Sequence, residues 1–162
     1  MRTGKIIAIL ALGTIPAFAV AAPAMTSATY VMKAGAGDLY EKQSSTLLMQ
    51  STANPALKTF AKEMITDHTS STAAVKAAAM KAGLHPAPPK LTAKQSSDLA
   101  ALRAATGTAR DTLYIQQQKA AHQEALTLHQ DESSTGTAAP LKAAAAKIVP
   151  VVQHHVDMLA AM

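Results

Sequence analysis

The chain contains no cysteine and no tryptophan, and only three Tyr and two Phe in 162 residues. Without thiols there are no disulfides, thiol nucleophiles or thiolate metal sites, so only His, Asp, Glu and Met remain to hold a metal. The aromatic platforms on which single-stranded nucleic acids stack are missing. Lys and Arg are scattered along the chain, so the formal charge of +5 reads as a solvated surface, and no nucleic acid is expected as a partner. Alternating runs of Val, Ile and Tyr, which strands require, are also missing. No stretch reaches the roughly 20 uncharged apolar residues that span a bilayer. A serine hydrolase finds no support, because a nucleophile elbow needs a strand-turn-helix setting.

What is present begins with an export signal. Arg2 and Lys5 precede the apolar run Ile6-Ile7-Ala8-Ile9-Leu10-Ala11-Leu12, and small residues follow at Ala17, Ala19, Ala21 and Ala22. That order predicts a signal peptide over residues 1–21, cleaved after Ala21, and a periplasmic or secreted product. With no cysteine near the cleavage point, lipid attachment through a lipobox is excluded. Loss of Arg2 and Lys5 leaves a formal charge of +3. Residues 22–162 are then one domain, long enough to bury a single core.

Ala, Leu, Lys, Gln, Glu and Met dominate this domain, which predicts an all-α fold. Breaks fall at Ser51 to Asn54, Gly83 to Pro89, Thr106-Gly107 and Ser133 to Thr137. They delimit long helices over Ser27 to Gln50, Pro55 to Ala82, Thr108 to Glu132 and Ala138 to Ala161. A short helix over Leu91 to Ala105 lies inside the second connection. A connection of that length lets the chain run back along the bundle, giving a ferritin-like four-helix bundle with one long crossover.

A heptad reading then decides which side chains face inward. In the last helix Leu141, Ala145, Ile148, Val152, His155 and Leu159 form one stripe. In the second, Leu57, Ala61, Met64, His68, Ser71, Val75 and Ala78 do the same. The third carries Asp111, Ile115, Gln118, His122, Ala125 and His129, with Tyr114 and Leu126 beside them. The first carries Tyr30, Ala34, Gly37, Glu41, Ser44 and Leu48. Each long helix thus brings one metal-capable residue to the middle of its seam: Glu41, His68, His122 and His155. At 1.5 Å per residue, ferritin-like directions put all four within roughly 8 Å of axial rise. A polar residue at the centre of a bundle is unfavourable unless paired, so four at one level point to a site.

One Glu and three His suit a single Zn, Cu, Mn or Fe(II) ion. Asp67, Asp111 and Tyr114 are candidates to orient the imidazoles from outside, a role that metal-bound histidines need filled. Met64 and Met158 lie within about a turn of His68 and His155 and read more readily as core filler than as copper ligands. His85 and His129 are expected at the surface. The competing reading is a non-enzymatic interaction protein of the cell envelope, in which the inward Glu and His residues form a structural polar network that fixes register.

Several segments carry a family resemblance: Gly37-Asp38-Leu39-Tyr40-Glu41, Phe60-Ala61-Lys62-Glu63-Met64-Ile65-Thr66-Asp67-His68, Asp111-Thr112-Leu113-Tyr114, His122, and Val149-Pro150 followed by His155. In these the chain resembles a secreted bacterial domain-of-unknown-function family with a ferritin-like four-helix fold, often labelled as outer-membrane proteins. Arg110 stands where that family usually has Phe. The resemblance implies a ferritin-like bundle and an exported setting, with loose links to metal binding or stress roles, and supplies no activity. Di-iron chemistry needs Glu-x-x-His on two helices. This chain has Lys119 three residues before His122 and Val152 three before His155, and one inward Glu cannot balance two irons. No catalytic residue is assigned, and no protein partner is legible.

Overall fold

The computed structural model describes residues 25–162, so the expected signal peptide over residues 1–21 lies outside the described residues. Five helices follow in order: α1 Ser27–Met49, α2 Pro55–Lys81, α3 Ala93–Ala104, α4 Gly107–Thr135 and α5 Ala139–Ala160. The described residues contain no strand.

Local chemistry sets the boundaries. Thr26 caps α1 by accepting from the Thr29 N–H. Asn54 accepts from the N–H groups of Ala56 and Leu57 ahead of Pro55, whose missing N–H is harmless in the first turn. Thr92 and Gln95 form a reciprocal capping box on α3. After α2 the chain turns at Gly83, whose φ of +77° favours glycine. The proline-rich connection then presses Pro89 onto α1 at Gly35, where an added Cβ would lie 3.1 Å from the Pro89 ring.

Helices α1 and α2 form one antiparallel hairpin and α4 and α5 another, with α1 packed on α4 and α2 on α5. Thr52, in the α1–α2 turn, donates to Asp111 at the start of α4 at 2.9 Å. Tyr30, at the start of α1, meets His129 near the end of α4. Therefore α4 runs antiparallel to α1, and the connection containing α3 carries the chain back along the bundle, the expected ferritin-like crossover.

The six stripe residues expected in α5 are the buried residues of that helix. All seven expected in α2 are buried, joined by Phe60 and Ala79. In α4 the buried line is Tyr114, Gln118, His122, Leu126, His129 and Glu132. Asp111, Ile115 and Ala125 are only half-buried, because the apolar residues of this helix are spread around its axis and leave no single stripe to fix its rotation. Gly37 is likewise half-buried.

Two apolar clusters result. One contains Tyr30, Val31, Val75, Leu126, Leu141 and Val152 near the start of α1. The other contains Leu48, Leu57, Phe60, Leu102, Tyr114 and Leu159 near its end. Glu41, His68, His122 and His155 occupy the layer between them in sequence position along every long helix. They are all nearly or fully inaccessible to solvent.

Candidate metal centre

His68 of α2, His122 of α4 and His155 of α5 each offer a ring nitrogen such that the three atoms lie within 4.8 Å of one another. Their ring centroids are 5.3 to 5.6 Å apart. A tetrahedral ion with bonds of ~2.1 Å has ligand atoms ~3.4 Å apart, a separation inside that limit.

Every imidazole uses one nitrogen outward and leaves the other free. His68 Nδ1 lies 2.9 Å from Asp38 Oδ1, His122 Nδ1 3.0 Å from the Gln118 carbonyl, and His155 Nε2 3.0 Å from Asp67 Oδ2. With those nitrogens donating, the lone pairs belong to His68 Nε2, His122 Nε2 and His155 Nδ1, the ring atoms that have no protein partner. An acceptor on the far nitrogen is the arrangement that orients metal-bound histidines and fixes their tautomer. Leaving buried polar atoms unpaired is unfavourable by about 1–3 kcal/mol each.

Glu41 stands beside the trio without belonging to that 4.8 Å group. Its Oε1 is 3.8 Å from His122 Nδ1, and its Oε2 has no partner. Burial raises its pKa, which the charge of His68 and the Gln118 side chain partly offset, leaving it at about 7. Burial pushes His122 down to about 3, with the neighbouring histidines adding to the effect, and His155 down to about 4 despite Asp67. Both are neutral at pH 7, the form that binds metal. In His68 burial acts downward too, but the hydrogen bond to Asp38 and the charges of Glu41, Asp38 and Asp67 outweigh it and hold the pKa above the usual value.

Among the residues expected to orient the imidazoles, Asp67 contacts His155. Asp111 instead accepts from Thr52 at the end of the bundle, and Tyr114 pairs with Ser45 at 2.7 Å. Neither bonds an imidazole. Sequence reasoning passed over Asp38, which also accepts from Thr72 at 3.0 Å. Its signal was its place one turn before Glu41, just off the expected stripe. His129 is a correction: expected at the surface, it is 3 % exposed, because Tyr30 OH meets its Nδ1 at 2.9 Å across the α1–α4 contact. His85 is exposed. A second group, Glu63, Asp67 and His155, has ligand atoms within 4.8 Å of one another on the outer side of the α2–α5 seam. On the opposite side, a cleft of about 910 Å³ between α1, α4 and the start of α3 reaches Asp38, Glu41 and His68.

No helix of the described residues is long and apolar enough to cross a membrane. The chain belongs to the family described as Domain of unknown function (DUF4142), whose model matches residues 14–162. No curated protein and no solved structure matches the chain.

Proposed function

We propose, with membership of that family as the premise, that the protein is an exported helical bundle that holds one transition-metal ion between its helices, in metal handling or stress protection. One observation carries the reading: three histidines from three helices each give one nitrogen to an acceptor and leave the other without a protein partner, with their rings packed 5.3 to 5.6 Å apart. That donor set fits Zn, Cu, Mn or Fe(II), with Glu41 adjacent to balance charge. An ion at His68 displaces the Nε2 proton while Asp38 keeps the Nδ1 proton, so uptake releases protons when His68 starts charged. Export rests on the N-terminal charge and apolar pattern.

The test is metal content and thermal stability of the mature protein, stripped and then titrated with Zn, Cu, Fe(II) and Mn beside His68→Ala. A near-stoichiometric ion that stabilises the parent by about 2.7 kcal/mol at a hundredfold excess over Kd, and leaves the variant unchanged, supports the reading. No selective shift in the parent would sink it and make the histidine layer a device for packing register in an envelope interaction protein.

A further inference from the structure

The centre is flanked by carboxylates on two sides, and the two sides are chemically unequal. We propose that divalent cations reach and leave it through the cleft between α1, the start of α3 and the second half of α4, drawn in by the carboxylates of that cleft. This inference rests on the metal reading above.

Asp38, Glu41, Asp98, Glu124 and Asp131 line the cleft, against Lys33 and Lys94. Lys94 pairs with Asp98 at 2.7 Å and Asp38 bonds His68 at 2.9 Å, which leaves Glu41, Glu124 and Asp131 facing Lys33 in a chain whose formal charge is +5. A concavity lined by one sign focuses the field and raises the encounter rate of the opposite charge by about 10- to 1,000-fold. Acidic lining alone is common on protein surfaces; the inner end of the cleft distinguishes this one. It reaches Glu41 and His68, residues 3 % and 5 % exposed, and Glu41 Oε2 and His68 Nε2 are both without a partner. A cation arriving there meets side-chain atoms that no other group of the protein engages.

The other side is the α2–α5 seam, where Glu63 and Asp67 are already engaged. Asp67 holds His155 Nε2 at 3.0 Å and Glu63 lies 3.4 Å from His154 Nε2. A neutral imidazole has one lone pair. For His155 to bind an ion on that side, its proton must move from Nε2 to Nδ1, which removes the lone pair it offers to the trio. Uptake through the seam breaks the bond that orients a ligand; uptake through the cleft breaks none.

The experiment is stopped-flow uptake of cobalt(II), followed by its visible absorption, into the stripped full domain at low and high salt. The cleft pair Glu124→Gln with Asp131→Asn is compared with a second pair, Glu63→Gln at the seam with Asp157→Asn on α5, an equal charge change outside the cleft. Glu124, Asp131 and Asp157 are exposed and Glu63 is half-buried, so folding is expected to survive. The cleft pair should slow association about tenfold at low salt, with the difference vanishing at high salt, while the seam pair loads like the parent. A cleft pair that loads at the parental rate, or a seam pair that slows uptake as much or more, overturns the route while leaving the centre standing. A parent that takes up no cobalt refutes the centre itself, and the route with it.

Discussion

His122 and His129 lie two turns apart on α4, both buried, and burial pushes their pKa values down to about 3 and about 4. Their roles nevertheless diverge. His129 meets Tyr30 edge to face, with ring centroids 5.7 Å apart, and the Tyr30 hydroxyl takes its Nδ1. The pair ties α1 to α4. His122 instead satisfies Nδ1 with a carbonyl of its own helix, and its Nε2 has no partner where His68 and His155 also have a free nitrogen. Burial and residue type are the same in both; what sets His122 apart is its remaining ring nitrogen, Nε2, buried without a partner beside His68 and His155.

Exchanging each of the two for alanine puts that difference to its hardest test. His122→Ala should abolish the stabilisation that metal gives the parent, about 2.7 kcal/mol at a hundredfold excess over Kd. His129→Ala should keep the metal response and lower only the stability of the metal-free protein, by about 1–3 kcal/mol through lost packing and an orphaned Tyr30 hydroxyl. Thermal melts with and without the ion decide it, and equal loss of the metal response in both variants would erase the distinction.

The comparison sharpens at the acceptors behind the rings. Asp38→Asn removes the carboxylate that orients His68 and should weaken metal affinity 10- to 100-fold by calorimetry. Tyr30→Phe, which removes the corresponding partner of His129, should leave affinity unchanged. A Kd insensitive to Asp38→Asn would show that His68 needs no orienting partner.

The smallest expected effect concerns Glu41 and has a definite sign. Its pKa rises from 4.5 to about 7 on folding, so the folded state holds this proton more tightly. The stabilisation is complete below about pH 4.5 and is lost as pH rises through about 7, beyond which a buried charge is retained. Glu41→Gln should therefore make the metal-free protein more stable than the parent above pH 7, by about 1–2 kcal/mol, with the gap closing toward pH 5. Coupling to His68 keeps the figure below the full shift. Melts of both proteins at pH 5 and pH 8 check it, and identical pH profiles would contradict a buried, strained carboxyl group. A residue that lowers the stability of the empty protein is one retained for something other than packing.

The fold was largely legible because helix-forming sequence is local information. The caps at Asn54 and Thr92, the breaks at Gly83 and Gly107, and the apolar period of α2 and α5 are set by neighbours within a turn or two. Legibility ended at α4, whose polar sequence does not define its rotation. The buried line there passes through Tyr114 and Leu126 instead of Ile115 and Ala125. His129 stood on the expected stripe but near the end of its helix, and no pattern within α4 announces that a tyrosine 99 positions away will take its nitrogen and cover it.

The sequence by itself determined the all-α class, the helix limits and the presence of one metal-capable side chain in the middle of each long seam, since composition, capping and the 3.6-residue period are properties of contiguous chain. Only the tertiary structure decided that three histidine nitrogens share one level with Glu41 beside them. It also decided that Asp38 and Asp67 stand behind two of the rings and that the cleft ends at Glu41 and His68. Those facts depend on the rotation and axial offset of helices packed against one another, which side-chain fit across the bundle sets and no local pattern encodes.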